Sequence, residues 1–467
     1  MNNFNKKITI NDENFSINKS VDLISSYLNN YNTSEINKYL NEIHNADIAE
    51  ILQNLDPVLR LSLINIIGKN FDPEILTYLN DSLRDEIVEI LDLKQLASNS
   101  AKLDVDDAVD LIEDLQKSDQ ATFLENVEEK ERKLIQEGLN YPEDSAGRLM
   151  QRKFVAVNEK WNVGNAIDFL RSNKKELPED FYDIFLIDKT DEVTGIVPLG
   201  RLMGSKREVN LINIKNKETR LVKVNTDQEE VAYLFNKYGL VSAPVVNESK
   251  KLLGSITVDD VVDVIEEERE EDILKLGGVA HTDIYDAIID TTRSRFSWLF
   301  LNLLTAIIAS IVIGFFQASI EKVVALAVLM PIVASMGGNA GTQTLTISVR
   351  ALAMKELSAS NAFKIVFKEI FIGGINGVIF AIIISILSMY WFNDHLLGII
   401  IGLAMIINLV VAGFAGTIIP ITLHRLKIDP ALASGVILTS FLTRLGSSAL
   451  NKLIPTPQSK VFFSESS

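Results

Sequence analysis

The 467-residue chain has no cysteine and only four histidines. Without thiols it forms neither disulfides nor thiolate metal centres, and with so little imidazole any metal ion must be held mainly by oxygen. It has no Gly-x4-Gly-Lys-Ser/Thr loop, so a bound nucleotide would act as a regulator and not as fuel. No Ser-His-Asp set or metal-hydrolase motif is visible, and the chain is not expected to be an enzyme. Residues 1–10 carry no apolar core of signal-peptide length. The large N-terminal half is therefore expected to stay in the cytoplasm, with a later helix directing insertion.

A basic surface is also missing, which argues against a nucleic-acid partner. Of 45 Lys/Arg and 62 Asp/Glu, only twelve basic and six acidic residues lie beyond residue 290, so the first part is strongly acidic and the last slightly basic. An acidic soluble half attracts cations, although carboxylates also serve ordinary solubility. With 47% hydrophobic residues overall, part of the chain is expected in a membrane.

Apolar residues recur at helical spacing over residues 21–140, predicting an all-helical domain. Within it Asp106 and Asp110 stand four apart, on one face at a helix start, where negative charge is also favourable by itself. Two related segments follow. Val155, Phe185 and Gly195 open strand-like runs in the first, and Val222, Pro244 and Gly254 in the second, each with an intervening helical stretch. This internal duplication resembles a tandem pair of CBS domains, which implies self-pairing and a possible adenosine-nucleotide site.

The second segment runs into an acidic stretch in which Asp260, Asp263, Glu267 and Glu271 fall along one side of a predicted helix that ends at Gly277. Such a stripe is either a solvated face or, next to a membrane span, a divalent-cation switch.

Uncharged runs at residues 296–316, 323–349, 370–392 and 396–423 are each long enough to span a bilayer, and a fifth begins at Ala431. Arg293, Arg295, Arg350, Lys355, Lys364, Lys368, Arg425 and Lys427 place one side of these spans in the cytoplasm and the C-terminus outside. The second run contains Pro331, Met336, Gly337, Gly338, Asn339, Gly341 and Gln343. Proline and glycine weaken a helix, so the carbonyls of residues 336–341 are expected to face water or an ion. A packing seam between helices is the other reading of the same spacing.

The pattern Pro-x4-Met-Gly-Gly-Asn-x-Gly-x-Gln resembles the signature of MgtE-type magnesium transporters, and the order of parts matches over most of the chain. The resemblance implies a multidomain membrane protein. Its parts would be an all-α N-terminal domain (1–140), an α/β tandem CBS pair (141–265), an acidic connecting helix (266–292), a five-helix transmembrane domain (293–454) and a tail (455–467). It implies a homodimer in the cell membrane with its pore between subunits, contacting lipid and divalent cations, with magnesium both carried and regulatory. Asp106, Asp110, Asp260, Asp263, Glu268, Glu271 and Asp272 align with magnesium-contacting positions. Pro331, Met336, Gly337, Gly338, Asn339, Gly341, Gln343 and Thr443 align with the pore. Thr443 is a departure, because the family has an aspartate there and Arg444 follows it here. A cation beside a cation pathway opposes conduction. The alternatives are a non-conducting membrane-tethered CBS sensor or scaffold, and a conduit for another divalent cation such as cobalt.

Overall fold

The computed structural model describes residues 17–100, 103–113, 115–175, 177–178, 180–279, 288–315, 317–358 and 360–431. The chain divides into two compact units, one of residues 1–268 with 283–285, the other of residues 269–282 with 286–467.

The first unit opens with ten α-helices among the described residues, from Ile17–Asn29 to Glu129–Leu139. Their starts follow capping chemistry. Asp56 accepts from the Val58 N–H ahead of Pro57, and Asn80 from that of Leu83. Leucine and isoleucine at helical spacing form one continuous core. Two buried arginines tie successive hairpins together: Arg60 Nη1 reaches Glu86 at 2.7 Å, and Arg84 Nη1 reaches Asp110 at 2.7 Å. In both pairs the partner lies 26 residues on.

Two three-stranded sheets of identical order follow, β1 (Ala156–Asn158), β2 (Asp183–Ile187), β3 (Val193–Pro198) and β4 (Val222–Lys223), β5 (Ser242–Val246), β6 (Leu252–Thr257). In each, the first pair is parallel and the second antiparallel, with a register shift at Leu186/Ile187 and at Val245/Val246. The duplication therefore extends to the irregularity. Helices Val163–Ser172 and Gln228–Tyr238 make the crossovers that parallel pairing requires.

The connector is one helix, Val258–Gly277, and Gly278 beyond it takes φ +70°, the left-handed conformation of a helix stop. It contains Asp260, Asp263, Glu267 and Glu271 as the spacing predicts, and Asp260 caps its start through Thr257. The boundary between the two units falls within it.

Among its described residues the second unit holds four helices long and apolar enough to cross a membrane: Thr291–Gly314, Ala325–Ala353, Ala362–Phe392 and His395–Arg425. The third and fourth form a tight hairpin. Asn393 turns the chain at φ 52°, and Asp394 accepts from the N–H groups of Leu396 and Leu397. Along the seam a Cβ on Gly373 would lie 2.5 Å from the Leu409 carbonyl oxygen, and one on Gly413 would lie 2.6 Å from that of Glu369. Small residues here let the backbones meet. The fifth span from Ala431, with Thr443 and Arg444, lies outside the described residues.

Candidate functional site

In the first unit the acidic helix Val105–Glu113 and the start of the connector bring like charges together. Asp106 is half-buried, and its Oδ1 is sealed from solvent with no hydrogen-bond partner. Burial, then the charges of Asp260, Asp107 and Asp104, holds its carboxyl well above the usual range. Burial, then Asp260, Asp104, Asp110 and Glu74, pushes Asp107 up to about 7. On the connector, burial and the neighbouring Asp110, Asp263, Asp81 and Glu268 push Glu267 up to about 7. Asp263 is raised by burial, Glu266 and Asp259.

Asp260 has a second role. Its Oδ2 accepts from the Thr257 hydroxyl at 2.7 Å and the Thr257 N–H at 3.3 Å, closing the helix N-terminus, and from the Gln151 amide at 3.2 Å. These bonds favour the carboxylate, yet burial outweighs them and leaves it at about 6. Within this group Asp104 pairs with Lys153 and Asp81 and Asp110 with Arg84, and the remaining repelling carboxylates make a surface suited to a hard divalent ion. Among the described residues no three acidic or histidine side chains converge closely enough to hold an ion unaided. Magnesium, which keeps most of its water, fits such an arrangement better than an ion that needs a full protein cage.

The other positions expected from sequence are more committed to protein partners. Asp110 is exposed and pairs with Arg84. Glu268 accepts from the Gln228 amide at 2.9 Å. In the second unit Lys275 lies between Glu271, at 2.5 Å, and Asp429, at 2.7 Å. Burial alone would lower the lysine, but its bonds to Asp429 and Glu271 hold it above its ordinary value. Asp272 is raised by burial and by Asp429. Asp429 also accepts from the Ala431 N–H at 2.8 Å. Sequence reasoning passed over Asp107 as a site residue and preferred Glu268 to Glu267. The periodic stripe that included Glu267 was the available signal.

The motif lies within the continuous helix Ala325–Ala353, which corrects the expectation that Pro331 and the glycines leave carbonyls free. In lipid every backbone group must find a partner, so the helical ladder persists around the single donor that proline lacks. The helix has two polar faces. On the buried one, a Cβ on Gly337 would lie 2.2 Å from Asn408 Nδ2, and one on Gly416 would lie 2.8 Å from the Gly341 carbonyl oxygen. Asn408 Nδ2 donates to the Val333 carbonyl oxygen at 2.6 Å. Gly337 and Gly341 thus belong to a seam with His395–Arg425, while Met336 is half-buried.

The other face is exposed and carries Pro331, Ser335, Asn339, Thr342, Gln343 and Thr346. Ser335, Asn339, Thr342 and Thr346 follow one another at intervals of four, three and four residues, a polar stripe along a membrane-length helix. The Thr342 and Thr346 hydroxyls donate back to the carbonyl oxygens of Gly338 and Thr342, both at 3.0 Å. Gly338 has open space beside it.

Comparison with known proteins places these features in one context. Residues 330–450 match the family model described as a divalent cation transporter, MgtE. Residues 43–144 match the MgtE intracellular N domain, and residues 213–267 match the CBS domain. The magnesium transporter MgtE of Bacillus subtilis is 31% identical over 407 residues, 86% of this chain and 84% of that protein. The one from Thermus thermophilus is 30% identical over 411 residues, 86% of this chain and 90% of that protein. A crystal structure of the cytosolic domain of the magnesium channel MgtE in complex with ATP is 28% identical, with a TM-score of 0.48, and covers 52% of this chain and 99% of its own. With the motif helix, the second CBS segment and the helical N domain matched in order, and relatives of 30–31% identity spanning most of both chains, this chain belongs to the MgtE family of divalent cation transporters.

Proposed function

We propose that the chain carries magnesium ions across the cell membrane as a homodimer, along a pathway lined by the exposed face of Ala325–Ala353. The observation that carries this is the stripe Ser335, Asn339, Thr342 and Thr346, polar groups turned away from their own bundle on a helix of membrane length. Neutral oxygens at this spacing suit an ion that keeps its water shell, and magnesium is the common dication that sheds water most reluctantly. The N-terminal unit is cytoplasmic in this reading and the C-terminus lies outside. Cytosolic magnesium closes the pathway by bridging the carboxylates of Val105–Glu113 and the connector, with Asp106, Asp107, Asp260 and Glu267 the groups most in need of a cation.

Magnesium flux into proteoliposomes tests the proposal. Asn339→Ala should reduce flux several-fold with assembly unchanged. Absence of flux from the unmodified protein at every magnesium concentration would favour a non-conducting sensor, and cobalt flux at equal rate would remove the assignment to magnesium.

A further inference from the structure

Glu369 is the one acidic side chain within the four described spans, and the transport reading leaves it unused. It lies on Ala362–Phe392, about 10 Å along the helix from Ala362. It is 8% exposed, in the crevice where the second, third and fourth spans meet. Its Oε2 accepts from the Thr344 hydroxyl at 3.3 Å, and Thr344 faces away from the polar stripe, on the buried side of the motif helix. Gly413 of the fourth span lies against its backbone carbonyl. Among the described residues no lysine or arginine pairs with this carboxylate, although Lys364 and Lys368 lie on the same helix. A carboxylate placed inside a span without a paired cation is costly, and a group in that position points to function.

We propose that Glu369 is a selectivity-determining residue: an ionised carboxylate behind the motif helix whose charge stabilises a dication against the Thr342 and Thr346 face. This rests on the transport reading. The residue does not touch the ion. Thr344 places the carboxylate level with Thr342 and Thr346, about one helix diameter, roughly 10 Å, from the ion's path. Over that distance at an effective dielectric of ~20, a unit negative charge favours a dication by on the order of 100-fold, and water in the pathway reduces this to roughly tenfold.

The test is the magnesium dependence of flux in proteoliposomes of the full-length protein. Glu369→Gln keeps an acceptor for Thr344 and removes the charge. It should raise the half-saturating magnesium concentration about tenfold while leaving the maximal rate near that of the unmodified protein. A protonated or purely structural Glu369 predicts otherwise. Unchanged half-saturation, or loss of maximal rate alone, overturns the proposal. Should Glu369→Gln fail to assemble, Glu369→Asp and Thr344→Val decide, since both keep the charge and weaken the hydrogen bond. The proposal requires half-saturation within about threefold of the original in both, and a tenfold rise in either overturns it. Absence of flux from the unmodified protein would instead defeat the transport reading itself.

Discussion

Asp107 and Asp260 approach each other as like charges at about 7 and about 6, so the neutral pH range straddles their titration. Their folded values are raised, hence each contributes stability that is complete below the ordinary carboxylate range and is lost as pH rises through the folded value. The contact between Val105–Glu113 and the connector should therefore loosen between about pH 4 and 7 in the absence of divalent ions. A bound dication reverses the sign, because it prefers the ionised carboxylates and displaces their protons. Adding magnesium at pH 6.5 should release protons, detectable with an indicator dye. Replacing Asp106, Asp107, Asp260 and Glu267 together by Asn or Gln should abolish that release and make protease resistance of the cytosolic unit independent of magnesium.

Among the elements, the motif helix separates two kinds of glycine that the sequence prints side by side. Gly337→Val should drive methyl groups into Asn408 and cost about 1–3 kcal/mol, whereas Gly338→Ala enters open space and should leave thermal unfolding in detergent nearly unchanged. Equal losses from the two variants would contradict the observed seam. The contrast also shows what was legible beforehand. Apolar run length identified the four described spans, and repeated strand and turn signals identified the CBS duplication, because both depend on local composition. The orientation of Gly337 could not be read, since it depends on where Asn408 arrives from 71 residues away. The same applies to the acidic helix: spacing paired Asp106 with Asp110, but packing turns Asp107 toward Asp260 and gives Asp110 to Arg84. Glu369 was counted only as one of six late acids, because burial is a tertiary fact.

For the whole molecule, the proposed cycle joins an acidic cytosolic sensor to a neutral membrane pathway. Thr443, which the resemblance aligns with the pore, and Arg444 beside it would bear directly on that cycle, since a cation beside a cation pathway opposes entry of another. Magnesium flux should be weak in the chain as it stands and should rise in the double variant Thr443→Asp, Arg444→Val. Robust flux without gain in that variant would show that the ion is held elsewhere. The back-bonded threonines carry a separate consequence, for the sign of the cargo. Thr342 and Thr346 each spend their only hydroxyl proton on their own helix, so toward the pathway they offer lone pairs alone. Water around a cation points its hydrogens outward and meets those lone pairs as a donor. Water around an anion points its oxygens outward and finds nothing there to accept from, so this part of the wall discriminates by the direction in which the ion's own water is turned.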